Sequence, residues 1–308
     1  MSIFKAASAV LLSLLGAATL CAQAVSPAGV AHGNSAAQPT TGFALNEAFE
    51  GSVSASAGVL DLNSTAGYDF NGHFGLAAGV PVYFLLPKAQ PGVASNTTGL
   101  GDAYLNIHTD FDLGPVSWDS TLTGAFPAGS RTKGLSSGRV MLDWDNRFDH
   151  TWGRVTPYID IDPGNGIDNL TNPHEHHATP SRPFITYGPE VQIEAGADVR
   201  IAARLTVTGS AYDVAPWGGQ TVYSQVLQHG QVGKGATKHG RVFETSPTTS
   251  GGAALDRDEG VNLIAHVKVN TVFEISGGYS RSIAYAENTL SFSLGFNLSR
   301  LLRHSRAN

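Results

Sequence analysis

The sequence predicts an all-β protein: a twelve-stranded antiparallel up-and-down transmembrane β-barrel with short periplasmic turns and long extracellular loops. Three observations predict it. Apolar and polar residues alternate one by one through most of the chain, the connections between alternating segments switch between long and short, and 36 glycines accompany no convincing helical periodicity. A period of two becomes two faces only in a β-strand.

The chain opens with a secretory signal pattern over 1–24: Lys5, an apolar run from Ala6 to Leu20, and the small-residue site Ala22-Gln23-Ala24, with cleavage expected after Ala24. That run is too short for a spanning helix, which needs roughly 20 apolar residues. Cys21 is read as an ordinary signal-peptide residue, because Ala18-Thr19-Leu20 lacks the small residue and the leucine of a lipoprotein site. It is the only cysteine, so the mature chain from Val25 onward holds no disulfide and stability must come from the fold. Loss of Lys5 takes the formal charge from −6 to −7, an acidic balance that argues against nucleic acid as a partner.

Residues 25–41 read as a flexible leader rich in Ala, Ser, Pro, Gly and Thr, 42–299 as the barrel, and 300–308 as a basic tail. The expected strands are 43–51, 59–70, 73–84, 102–112, 116–126, 139–149, 154–162, 184–200, 204–215, 259–267, 271–281 and 289–299. Connections after odd-numbered strands have 7, 17, 12, 21, 43 and 7 residues; those after even-numbered strands have 2, 3, 4, 3 and 3. In an antiparallel meander this places every tight turn at one rim and every long loop at the other, as in bacterial outer-membrane barrels. Asn71-Gly72 and Gly114-Pro115 have hairpin and turn chemistry, and Lys268-Val269-Asn270 is turn-compatible.

The stretch from Gly99 to Asp149 shows the two faces most clearly. Leu105, Ile107 and Phe111 alternate with Asp102, Tyr104, Asn106, His108 and Asp110; Trp118, Leu122 and Phe126 with Asp119, Thr121 and Thr123; Leu142, Trp144 and Phe148 with Asp143, Asp145, Arg147 and Asp149. In the segment 184–200 the apolar face runs from Ile185 and Tyr187 through Val199 without a charge, against Glu190, Gln192, Glu194, Asp198 and Arg200. A slip of one residue would push those charges into hydrocarbon, at roughly 2–4 kcal/mol for a mid-membrane arginine and less for each carboxylate. A soluble sandwich also alternates, but its strands are usually about 5 to 6 residues long. Aromatics also gather at two rims: Phe70, Phe74, Phe111, Trp118, Phe148 and Trp152 toward the turns, and Phe84, Phe126, Tyr187 and Trp217 toward the loops.

Gly99-Leu100-Gly101-Asp102, the strand from Ala103 to Phe111, the run Gly124-Ala125-Phe126-Pro127-Ala128-Gly129 and Arg154-Val155-Thr156-Pro157-Tyr158 together resemble the outer-membrane channel family associated with meta-pathway phenol degradation. These motifs cover about a sixth of the chain. The resemblance implies a barrel that passes small hydrophobic or aromatic compounds. The chain departs from the usual ending on an aromatic residue, since Phe296 is followed by the basic segment 300–308.

The face predicted to point inward supplies the candidate pore lining: Asp102, Asp110 and Asp119; Arg139, Asp143, Asp145, Arg147 and Asp149; Asp160 and Asp162; Glu190, Glu194, Asp198 and Arg200; and Glu274. Twelve carboxylates face three guanidiniums there, a balance that favours cations if water reaches the lumen. The competing reading is a lattice of those groups that plugs the barrel, leaving the long loop 216–258 to meet partners.

No cofactor and no metal are expected. Pro173-His174-Glu175-His176-His177 matches no closed zinc spacing and reads as a solvated loop cluster. Asp160 to Asp168 lacks the glycine order and closing glutamate of a calcium loop. An enzyme is not expected either: Ser210, Tyr212, Asp213 and His266 are explained as strand residues, without a nucleophile motif. The partners implied are outer-membrane lipid, the barrel-assembly machinery and a small-molecule solute.

Overall fold

The computed structural model describes residues 41–71, 73–87, 96–166, 182–227 and 241–299. The predicted signal peptide, residues 25–40 of the leader, Gly72, Asp168, the cluster His174 to His177 and the tail 300–308 lie outside the described residues.

The described residues form sixteen strands: β1 Gly42–Val53, β2 Ala57–Asn71, β3 Phe74–Pro87, β4 Thr97–Leu100, β5 Ala103–Leu113, β6 Val116–Phe126, β7 Met141–Asp149, β8 Val155–Gly164, β9 Phe184–Tyr187, β10 Glu190–Ala202, β11 Leu205–Pro216, β12 Gln220–Ser224, β13 Thr248–Gly251, β14 Asp258–Lys268, β15 Phe273–Ser282 and β16 Glu287–Asn297. Twelve of them build one ring of antiparallel neighbours, closed because β1 pairs with both β2 and β16 while β2 pairs with β3. Closure removes every edge, so no backbone N–H or C=O row faces lipid. The predicted strand set is therefore formed, with three local differences.

First, β4 and β5 are one course interrupted at Gly101-Asp102: β3 pairs with β4 over Val82 to Leu85 and with β5 over Phe74 to Gly79. Second, β7 begins at Met141, so Arg139 sits in the preceding loop instead of on the wall. Third, the expected strand 184–200 is broken at Gly188-Pro189 into β9 and β10. Proline has no N–H for the ladder, and a Cβ at Gly188 would run into the Gln220 side chain, so the chain turns off the wall there. β12 leaves β11 at the same level through Trp217-Gly218-Gly219, where Gly218 takes φ 72°, a left-handed conformation suited to glycine. β9 and β12 pair again, with Tyr187 opposite Thr221 and Phe184 opposite Ser224, and β13 adds to form a three-stranded sheet.

The two faces separate as their chemistry requires. Outward are Leu105, Leu122, Leu142, Trp144, Ile193, Leu263 and Leu290, all exposed. Inward are Asn106, Asp145, Asp160, Asp162, Gln192 and Glu194, each 0 % exposed. That is the reverse of a soluble protein, and it suits a hydrocarbon solvent outside. At the turn rim the outward aromatics form a ladder: His73, Phe111, Trp118 and Phe148 stack in sequence at centroid spacings of 5.3, 5.9 and 6.2 Å. Phe43, Tyr68 and Phe70 continue it edge to face at 4.8 and 5.2 Å. At the loop rim Phe126 and Trp217 are exposed outward, whereas Tyr187 belongs to the small sheet.

Candidate pore and its cap

The lumen wall is organised by one arginine. β7 holds Arg147 directly opposite Asp160 of β8 and Asp119 of β6, so strand register alone brings unlike charges together. Its guanidinium reaches Asp198 of β10 at 2.7 Å, Asp160 at 3.6 Å and Asp149 at 3.7 Å, and lies 3.7 Å from the centre of the Tyr158 ring. Asp198 also accepts a hydrogen bond from Thr208 at 2.6 Å, and Tyr158 donates to Glu194 at 2.7 Å. Asn262 extends the chain across β14 by donating to Glu194 at 3.5 Å and Ser210 at 3.4 Å. A buried guanidinium held by several carboxylates and a ring face is fixed in place.

Asp143, Asp145, Asp160, Asp162, Glu190 and Glu194 share the wall built by β7, β8 and β10, all buried. The inward face continues round the ring through Asn106 and Tyr104 of β5 to Asp61, Asn63 and Thr65 of β2; the Tyr104 hydroxyl donates to Asn63 at 2.9 Å and lies 2.6 Å from Thr65. Asp61 is an inward carboxylate that sequence reasoning missed. Its signal was the alternation Val59, Asp61, Asn63, Thr65 against Leu60 and Leu62, blurred by the outward Ser64.

Other predicted lining residues take different places. Asp102 sits at the β4–β5 break and turns to the loop 127–140, accepting from the backbone N–H of Ala128 and Gly129, each at 3.1 Å, and from Ser136 at 2.9 Å. It anchors that loop. Arg139 lies exposed with its guanidinium 4.7 Å from the Tyr187 ring centre. Asp110 is 3.3 Å from His73 at the turn rim, and Glu274 is 3.7 Å from His266 near the same rim. Arg200 donates to the Gly153 carbonyl at 2.9 Å, closing a turn. His108 and Asp69 form a further histidine–carboxylate pair there, at 3.1 Å.

The sheet β9–β12–β13 covers the loop-side mouth. One side of it packs Ile185, Tyr223 and Tyr187 onto Tyr104, Ala125 and Met141 of the wall β5–β7. Phe184 and Val222 join Ala57, Val226, Leu227, Phe243 and Tyr285 in a second apolar cluster, reaching β2 and the β15–β16 turn. The sheet thus spans from one wall to the far one. Arg182, just before β9, latches it: the guanidinium meets Asp258 at 2.9 Å and the Tyr212 hydroxyl at 3.1 Å. Asp258 is held from behind by Ser282 at 2.9 Å and the Ala284 N–H at 3.2 Å. Arg131 lies 5.6 Å from the Tyr223 ring centre on the opposite flank. Neither Arg182 nor Asp258 was among the sequence candidates, since each falls beside a break that alternation cannot cross.

The groups weighed for catalysis do not assemble. Ser210 points inward while Asp213 points outward and faces Arg257 at 3.5 Å; Tyr212 donates to Asp258. Among the described residues no group of three or more His, Cys, Asp or Glu is arranged to hold a metal ion.

A closed twelve-stranded barrel, apolar outside and carboxylate-rich inside, is the architecture of outer-membrane β-barrels. No family model matches the chain, and no curated protein matches it. Among solved structures it is similar to an outer membrane channel from Pseudomonas putida F1, with a TM-score of 0.53 and 11% identity, covering 87% of this chain and 100% of that one. The NanC porin (TM-score 0.45, 7% identity) and the KdgM porin in complex with disordered oligogalacturonate (0.44, 8%) each match over 82% of this chain and 98% of theirs. At such identities the likeness is one of fold.

Proposed function

We propose that this chain is an outer-membrane channel for the passive passage of small solutes, with a lumen that favours cations and with the β9–β12–β13 sheet as its gate. The observation that carries the reading is the polar wall itself. A barrel needs an apolar exterior to live in lipid, but nothing about lipid requires a continuous inward row from Asp143 to Glu194 with only Arg147 among the carboxylates. Such a wall in a low-dielectric ring concentrates cations where water enters. The similar fold of a Pseudomonas putida F1 outer membrane channel supports the reading. So do the motifs at Gly99 to Asp102 and Gly124 to Gly129, which add hydrophobic or aromatic compounds as the solute class. No cofactor enters, because selectivity comes from width and charge.

A second reading has its own observation. Mid-lumen side chains with 0 % exposure under a packed cap also suit a closed structural barrel that meets partners through the loop 216–258. Planar-bilayer recording separates the two. The refolded mature protein is expected to give discrete current steps and, in a salt gradient, a reversal potential of cation-selective sign. A silent bilayer would establish the structural reading, and anion selectivity would refute the acidic lumen.

A further inference from the structure

Among the described residues, the outward face carries one acidic or basic side chain away from the strand ends, Glu47. Asp213, Glu259 and Arg281 also point outward, but each lies within four residues of the loop rim. Glu47 is halfway along β1, opposite Phe296 of β16 on one side and Ser64 of β2 on the other. Phe43, Tyr68 and Phe70 mark the turn-side interface below it, and Glu47 is four residues further along its strand than Phe43. At about 3.3 Å per residue and a tilt of about 40°, that is roughly 10 Å into a band about 25 Å tall.

Ser64 donates to one carboxyl oxygen of Glu47 at 2.7 Å. The other oxygen has no hydrogen-bond partner among the described residues, and both residues are half-buried. A carboxyl at this depth is beyond the reach of headgroups, and acyl chains offer no hydrogen bond. The surface around it is low: Ala66 faces Ala78 across β2 and β3, and both are exposed. In lipid, small side chains beside a polar group allow two walls to approach and bond.

We propose that the outward wall centred on Glu47, over β16, β1 and β2, is the contact surface for a second copy of this chain, related by a two-fold axis along the membrane normal, with Glu47 meeting Glu47. The chemistry is self-complementary. Two carboxyls sharing protons close a pair of hydrogen bonds, and each Ser64 stays on its own Glu47. A two-fold contact is also self-limiting, so it ends at a dimer.

The test keeps Glu47 in place and puts a reporter beside it. Ala66→Cys in intact outer membranes, treated with a mild oxidant, is expected to yield a disulfide-linked dimer of the chain. Leu263→Cys, on the exposed outer face of β14, is the reference and should yield none. Adding Glu47→Leu to Ala66→Cys should cut the crosslinked fraction tenfold or more, while Glu47→Gln, which still donates and accepts, should retain it. The compact band that each variant gives on an unboiled gel, and loses on boiling, reports that its barrel is folded. Crosslinking no greater than at position 263, a fraction insensitive to Glu47→Leu, or capture of a different protein by Cys at 66 would each overturn the proposal.

Discussion

Arg147 shows what a single residue does in this lumen. It is the cation that lets Asp149, Asp160 and Asp198 approach one another, and it packs on Tyr158. Removing one side of a buried ion network costs about 3–5 kcal/mol. Arg147→Leu should therefore lower the unfolding free energy in detergent by about 3 kcal/mol, followed by tryptophan emission in urea. The same variant should shift the reversal potential further toward the cation limit. A different chemistry operates outside, where Asn146 and Ser120 point toward lipid yet are buried. Trp144 donates to Ser120 at 3.0 Å, Ser120 to Asn146 at 2.9 Å, and the Trp118 indole N–H to Asn146 at 3.4 Å. The rings shield the polar pair. Asn146→Ala should cost about 1 kcal/mol in the same titration, since it strips partners from indole and hydroxyl. Alternation made the inward carboxylates of β6 and β7 legible in sequence. It could not tell that Asp102 would turn to a neighbouring loop, because a side chain at a strand break belongs to whichever backbone offers N–H groups.

At the scale of elements, the hairpin β10–β11 is the informative one. Its upper ends continue as β9 and β12, so the cap is an extension of the wall bent at Gly188-Pro189 and Trp217-Gly219. Read as sequence, Ile185 and Tyr187 extend the apolar face of β10, and their period is indistinguishable from it. They pack instead on Tyr104, Ala125 and Met141. A period of two reports that a face is apolar, not which partner covers it; the Gly-Pro pair was the available signal of a break. On the gating reading, Arg182 is the latch between cap and wall. Arg182→Gln should raise the open probability in single-channel records severalfold, with unchanged conductance of the open step. Unchanged gating would move the latch elsewhere on the cap.

For the whole molecule, closure is the decisive property. β16 pairs with β1 from Asn46 opposite Asn297 to Val53 opposite Leu290, and that seam completes the ring. Deleting the chain from Glu287 onward would leave β1 and β15 with open edges in hydrocarbon, at several kcal/mol for each unsatisfied backbone group. Such a protein should lose the compact, heat-sensitive band that a folded barrel gives on an unboiled gel. Closure was readable from the even number of strands and the alternating connection lengths, since those lengths follow from which rim a connection crosses. Which segments return over the mouth was not readable. The partners Phe184, Phe243 and Tyr285 are brought together only by the cap, from three separate connections.

On the gating reading, the cluster beneath that cap also sets a thermal signature. Swinging the panel off the mouth would wet Phe184, Val222, Phe243 and Tyr285, and newly wetted apolar surface raises the heat capacity by about 0.45 cal/K/mol per Å². The opening enthalpy must then change with temperature, so the logarithm of the open-to-closed ratio plotted against inverse temperature should be a curve. Cooling below its turning point would open the channel as surely as warming above it.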